Sequence, residues 1–470
     1  MEKFNSGLNR AIQIAANIKT FIKANKLQQG DKLPTIAQFA SMLNVGKDCV
    51  NEAMSMLSYE NIVVIRPRHG VFISSESWAN LYPTVPNWDQ LISKSNLKQE
   101  SKSRDALNRK IIDSKGTIRS ICNPFINSNY CTWLIKRGLS DTSEIISKRD
   151  FDTWEMVSMP LREKLCEHML LYGYSVTPDK VMLMANDVSA LSALCMSVLY
   201  PRFELLHGSC SYVHGKQRLA SHGACMRPLE MDREGITKES LLANLNRTTQ
   251  QVLYLTPNYS APTGTTMSKK RREEILRICQ NTRTPIIEVD VYRDVSDDLP
   301  CPIASMDNSD IVLYIGTISE MLPLGIQQTW VVAPKPVMDI LYHHKSQEDF
   351  NVAINDAFFY SVLKSGDLYE HKKFYHSFLV KRQLFAERIL RKYFNGIAEW
   401  NSNGHPCFHW VKVSENANLE KALQSEEFIL YGGADFGLNC QRCLLISSLN
   451  YTQHSFLKVI KSLSEALRSP

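Results

Sequence analysis

Between residues 161 and 333 the chain alternates short, largely apolar runs with longer stretches of helical period, an order that few folds accept. The runs at 181–184, 203–206, 252–255, 286–289, 311–315 and 330–333 have the length and composition of strands buried on both faces. Stretches 161–171, 188–199 and 268–280 between them read as helices. Strand and helix in alternation predict an α/β domain, a mostly parallel sheet with helices on both sides. Such sheets bind ligands beyond the carboxyl ends of their strands, so the polar residues that follow each run are the ones to inspect.

The first 75 residues have a different grammar. A helix is expected over 8–24, with Ile12, Ala15, Ile18 and Ile22 on one side. Gly30-Asp31 breaks it, and Leu33-Pro34-Thr35 offers entry and cap to a second helix over 36–43. After the short turn 44–46, a third helix over 47–59 turns Val50, Ala53, Met54 and Leu57 inward. A hairpin follows, 61–66 and 71–73 around Pro67-Arg68-His69-Gly70. Two helices on a tight turn plus a hairpin make a winged helix-turn-helix, whose second helix enters the major groove of double-stranded DNA. Lys47, Asp48 and Asn51 would face the groove, Arg66, Arg68 and His69 would sit on the wing, and Thr35 would stand at the entry of the second helix. Cations there neutralise phosphates, while Asn51 suits a base edge. The alternative is a helical unit that only dimerises, and Asp48 with Glu52 on the third helix lean that way.

At 470 residues a split into two or three domains is expected, and 44% hydrophobic with 22% charged residues is the balance of a globular protein. No apolar run reaches the roughly 18 residues of a membrane span, and the N-terminus lacks the apolar core of a signal peptide, which together predict a cytoplasmic protein. The lone Cys-x-x-Cys, Cys440 to Cys443, has no second pair to complete a zinc site, so no metal is predicted. Residues 76–120 are rich in Ser, Asn and Lys without sustained periodicity and read as a linker. The boundaries are then 1–75 for the winged helix, 76–120 for the linker and 121–470 for the α/β domain, with a small α+β subdomain over about 385–470.

The motifs at both ends carry a family resemblance. Gly30-Asp31-Lys32-Leu33-Pro34-Thr35, Leu43-Asn44-Val45-Gly46-Lys47 and Gly70-Val71-Phe72-Ile73 follow the pattern of a GntR-type winged helix. Gly46 and Lys47 replace that pattern's serine and arginine, Cys49 its threonine, and Ala37 its arginine after the second-helix cap. The rest resembles the MocR subgroup, in which the winged helix is joined to a fold-type I aminotransferase-like domain. Leu161-Arg162-Glu163, Tyr254-Leu255-Thr256-Pro257 with Pro262-Thr263-Gly264, Asp290 with Tyr292, Ser365-Gly366-Asp367, Arg382 and Arg442 each find a counterpart in order. The resemblance implies pyridoxal phosphate (PLP) as cofactor, with Tyr212 stacked on its ring, Asp290 at the pyridine nitrogen, Tyr292 near the ring hydroxyl and Arg442 on a substrate carboxylate. The residues alone leave other roles open: Tyr212 filling a cleft, Asp290 capping or pairing locally, Arg442 in a surface ion pair.

The departures from the family fall on that cofactor. Its Gly-Thr-x-Ser-Lys is here Gly316-Thr317-Ile318-Ser319-Glu320, and a carboxylate cannot condense with an aldehyde. Gln327 stands where the family places an arginine on the phosphate. The small turn that leaves helix amides free for phosphate is Asn186-Asp187, two capping residues. The expectation is a DNA-binding regulator, a homodimer, head-to-tail as in the subgroup, whose second domain serves for dimerisation and for sensing a small-molecule effector without PLP Schiff-base chemistry. No cofactor and no catalytic residue is predicted. With Asp187, Asp290 and Glu320 in one cleft, a neutral or amine-bearing ligand is favoured. The rivals are a regulator that binds PLP non-covalently or through another lysine, a PLP-dependent aminotransferase with a vestigial DNA-binding domain, and an interaction scaffold in which both sites are dead.

Overall fold

The computed structural model describes residues 10–25, 27–74, 130–147, 155–197, 203–211, 219–220, 223–246, 250–318, 320–322, 326–345, 353–401, 406, 408–424, 428, 430–433, 436, 440–449 and 451–469. The linker over 76–120, Tyr212 and Ser319 lie outside them. The chain forms two units, Met1–Lys102 and Ser103–Pro470, taken here one at a time.

In the first unit, α1 (Arg10–Ala24), α2 (Ile36–Leu43) and α3 (Lys47–Tyr59) enclose one apolar core. From α3 come Val50, Ala53, Met54 and Leu57, all buried as their spacing predicts. On α1 the phase differs from expectation: Ala11, Ile14, Ala15, Ile18 and Ile22 are buried, whereas Ile12 is exposed. Ala11 takes the inward place because it lies four residues before Ala15 and seven before Ile18. The wing is β1 (Val63–Arg66) paired antiparallel with β2 (Gly70–Ile73), in register Val64 to Phe72 and Arg66 to Gly70. Residues 30–33 lie along its other edge, Leu33 N donating to Val71 O and Ile73 N to Asp31 O, both at 2.9 Å.

The second unit is built on a seven-stranded sheet. Its strands are β3 (Val181–Met184), β4 (Glu204–Gly208), β5 (Cys225–Leu229), β8 (Gln251–Leu255), β9 (Ile286–Asp290), β10 (Val312–Ile318) and β11 (Gln328–Val332), the two-residue pairs Met231–Asp232 and Gly235–Ile236 being β6 and β7. The spatial order is β3-β11-β10-β9-β8-β4-β5. Only β11 runs against the others, so the sheet is mostly parallel as the alternation of elements implies. Successive strand residues feed two separate cores. Leu183, Leu253, Ile286, Tyr314 and Trp330 pack on one face with the helix Glu155–Leu170, while Met182, Val252, Ile287, Leu313 and Val331 pack on the other with Asp187–Ser197 and Lys335–Lys345. Burial on both faces explains why these strands read as largely apolar runs without alternation.

Several boundaries differ from the sequence reading, and for β10 and β11 the contacts give the reason. The helix expected over 161–171 begins at Glu155 and runs through Pro160. Strand β10 does not end at Gly316 but continues to Ile318. Gly316 is there for space, not for a turn: a Cβ on it would lie 2.5 Å from Cζ2 of Trp330, its partner on β11. Beyond it Thr317 is kept in the sheet by donating to Gln328 O at 3.0 Å and accepting from Thr329 Oγ1 at 3.0 Å. Strand β11 likewise starts two residues early, because Gln328 and Thr329 bury polar side chains that are hydrogen-bonded.

A three-stranded antiparallel sheet, Ala398–Trp400, His409–Val413 and Cys443–Ile446, follows the 28-residue helix Asp367–Phe394 and is packed by the amphipathic Gln453–Arg468. Among the described residues no helix is long and apolar enough to cross a membrane.

Candidate functional site: a basic winged helix and the carboxyl edge of the sheet

Thr35 caps α2. Its hydroxyl oxygen accepts from Gln38 N at 3.3 Å, and Gln38 Oε1 accepts in return from Thr35 N at 2.8 Å, a reciprocal capping box. The hydroxyl proton goes to the same Gln38 oxygen at 2.9 Å, so Thr35 sets the angle of α2 before any contact with DNA. Asn44 closes α2 in the left-handed region, φ 52°, with its amide on Ala40 O and Ser41 O. The turn then delivers α3 with no side-chain cap at Gly46, leaving the first turn of α3 open. Lys47, Asp48 and Asn51 are exposed on that first turn and a half, and Arg66, Arg68 and His69 are exposed on the wing. Arg68 sits at φ 65°, which folds the wing tip back so that His69 N reaches Arg66 O at 3.0 Å.

In the second unit the register brings most of the predicted residues to one place. Met184 pairs with Thr329, Thr329 with Thr317, and Gly316 with Asp290, so the ends of β3, β10 and β9 and the start of β11 are level. Asn186 and Asp187 follow β3, Glu320 follows β10, Gln327 precedes β11 and Asp290 closes β9. All five therefore stand at the carboxyl edge of the sheet.

Each has a local commitment. Asn186 Oδ1 accepts from Ser189 N at 2.8 Å, while Ser189 Oγ accepts from Asn186 N at 3.1 Å and donates to Asn186 O at 2.8 Å. The Asp187 carboxylate draws on the amides of Val188 and of Asp187 itself; burial nevertheless raises its pKa. The amides at the start of this helix, the natural seat of a phosphate, thus answer to the chain's own side chains. Asp290 is buried, accepting from Asn258 Nδ2 at 2.6 Å, from Arg293 Nε at 2.8 Å and from Tyr314 Oη at 3.4 Å. Arg293 is itself buried, donates to Pro300 O at 2.9 Å and lies over the Tyr172 ring. Glu320 is half-buried, yet its Oε2 is sealed from solvent and has no hydrogen-bond partner among the described residues. Burial, and secondarily the Asp187 carboxylate, pushes its pKa up to about 8. Gln327 is half-buried and offers its carbonyl to Asn355 Nδ2.

Tyr292 packs its ring against Phe408 at 6.1 Å. Arg442 stands apart from this group, donating to Ser414 O and, at 2.8 Å, to Ala417 O, with Glu415 at 3.4 Å. It ties down the turn after His409–Val413. Sequence reasoning missed Asn258 and Arg293, the two residues that occupy Asp290; Arg293 falls three residues after it, a spacing suited to a local ion pair. Beside the same edge, Gly208, Ser211, Tyr254, Thr256, Pro257 and Ser260 line a cleft. Among the described residues no group of His, Cys, Asp and Glu is placed to hold a metal ion, and burial raises the Cys443 thiol to about 11.

Comparison with known proteins accounts for both units. Residues 10–73 match the family described as bacterial regulatory proteins, gntR family. The chain is 26% identical over 429 residues to the uncharacterized HTH-type transcriptional regulator YdfD of Bacillus subtilis, covering 89% of this chain and 87% of that protein. It is 21% identical over 420 residues to the HTH-type transcriptional regulator NorG of Staphylococcus aureus, covering 86% and 92%. Among solved structures it is similar to the kynurenine aminotransferase of Pyrococcus horikoshii, with a TM-score of 0.71 and 19% identity over 81% of this chain and 98% of that one. The multiple substrate aminotransferase of Thermococcus profundus gives 0.71 and 18% over 82% and 98%. At such identities the likeness is one of fold. The chain therefore has the MocR-like architecture of a GntR-type transcriptional regulator, a winged helix followed by an aminotransferase-like domain.

Proposed function

We propose that this regulator binds operator DNA through α3 and the wing, and that its aminotransferase-like domain serves for dimerisation and effector sensing without PLP Schiff-base chemistry. The observation that carries the second half is Glu320, which follows the strand where the resembled enzymes place their lysine and keeps a buried carboxyl oxygen with no hydrogen-bond partner among the described residues. The surroundings support it. Asn186 and Asp187 take up the helix amides a phosphate would use, and Arg293, the cation beside this group, is committed to Asp290. These residues do not fit a covalently held PLP. They favour a neutral or amine-bearing effector: Asp187 opposes a phosphate, Glu320 supplies no cation to offset that, and an amine would take up the proton that Glu320 keeps up to about pH 8. The homodimer rests on the resemblance; it would carry two reading heads to a two-fold operator.

Borohydride reduction of the protein incubated with PLP, followed by peptide mass spectrometry, tests the loss of the imine: no stoichiometric pyridoxyl-lysine is expected, and one at a single lysine would refute it. Calorimetric titration separates the effector classes. Tight binding of PLP with none of small amines would overturn the amine reading.

A further inference from the structure

The outer face of the wing carries a device that the groove-facing set does not include. Phe72 on β2 lies opposite Val64 and two residues from Gly70, so its ring, Val64 and Arg66 share one face of the hairpin. On the other side of Phe72 runs the segment before α2, where Lys32 forms an isolated bridge with Phe72. Two cations meet over this ring: the Arg66 guanidinium carbon is 5.0 Å from its centroid and Lys32 Nζ is 5.8 Å from it. Both side chains are exposed, while Phe72 is half-buried. Gly70 makes the arrangement possible. It sits at φ 111°, and a Cβ there would come within 2.9 Å of Lys32 Cε, so the bare backbone is the floor over which the lysine stem crosses.

We infer that Lys32 is a second phosphate contact acting beside Arg66, and that Phe72 is the positioning residue that holds both cations at a fixed separation on the outer wing face. Two like charges on flexible stems would otherwise spread apart; an aromatic face attracts each of them and restricts where they point. Contacts of this kind fix register on the duplex without reading sequence, so the ligand is the DNA backbone and not a base. The inference rests on the DNA-binding reading and adds to it a residue outside both the recognition helix and the hairpin.

The test is fluorescence anisotropy of the full chain on a labelled mixed-sequence duplex, titrated at several salt concentrations. Lys32→Gln is expected to weaken binding and to flatten the dependence of log affinity on log salt by about 0.9, the loss of one phosphate contact. In a Phe72→Leu background the same change should cost less than half as many fold, and in a Phe72→Tyr background its full effect should return. Lys32→Gln alters an exposed side chain and decides the contact by itself. An unchanged affinity and slope would overturn it, and an equal cost in all three backgrounds would overturn the role of Phe72. A wild-type chain that does not bind the duplex would sink the DNA reading itself, whereas wild-type binding indifferent to Lys32 sinks only this inference.

Discussion

Replacing Glu320 by glutamine should make the protein more stable at alkaline pH, by an amount set by how far the pocket opposes the carboxylate. The folded protein raises this group from 4.5 to about 8. At about 1.36 kcal/mol per pH unit, the displacement sets a ceiling on the order of 5 kcal/mol. Glu320 is half-buried and within reach of water, and screening brings the expected figure to about 1–2 kcal/mol. The sign follows from proton linkage. Between its unfolded and folded pKa the folded chain holds a proton that the unfolded chain has released, so stability is complete below 4.5 and is lost as pH rises through about 8. Glutamine copies the protonated acid and cannot ionise. Thermal midpoints of the two proteins should therefore coincide near pH 4.5 and diverge towards pH 8, the variant ending higher by about 2 °C per kcal/mol. Parallel curves would refute the claim that Glu320 is a desolvated acid facing a second carboxylate.

Three other variants probe the rest of the account. Gly316→Ala forces a methyl against the Trp330 ring and should cost about 1–3 kcal/mol in urea unfolding, whereas a surface glycine would tolerate the change. Asp290→Asn strips the buried Arg293 of its counter-ion and should cost about 3–5 kcal/mol by the same measurement. A loss under about 1 kcal/mol would mean that Arg293 has other support. Lys47→Ala together with Arg68→Ala should abolish DNA binding in a gel shift against the gene's own upstream region while leaving the far-ultraviolet circular dichroism unchanged. Retained binding would move the groove-facing surface elsewhere.

The winged helix and the central strands were legible in the sequence because they follow from spacing alone. Val50, Ala53, Met54 and Leu57 face inward as their helical period requires, and the runs 181–184 and 252–255 are buried on both faces as their continuous apolar character requires. What was hidden depends on contacts between distant residues. Gly316 looks like a turn until Trp330, fourteen positions later in the chain, is seen to cover it. The family motif marks Asp290 as a ring partner, but the motif carries no information about Asn258 and Arg293, which take its two oxygens. Arg442 has the right place in the sequence order, yet its Nη2 is engaged by the carbonyls of Ser414 and Ala417. Thr35 belongs by sequence to the DNA-binding set, and the structure adds that its hydroxyl is held in a capping box. The place of Lys32 is not legible in the sequence, because nothing in its neighbourhood along the chain points to Phe72, forty residues on.

The measurement that bears most directly on the loss of PLP chemistry is the absorbance spectrum of the purified protein, recorded before and after addition of PLP and again after dialysis. With Glu320 at the end of β10 and the helix amides held by Asn186 and Asp187, no visible band of a protein-bound imine should be present, form, or survive dialysis. A band that persists through dialysis and shifts when an amino compound is added would contradict the account.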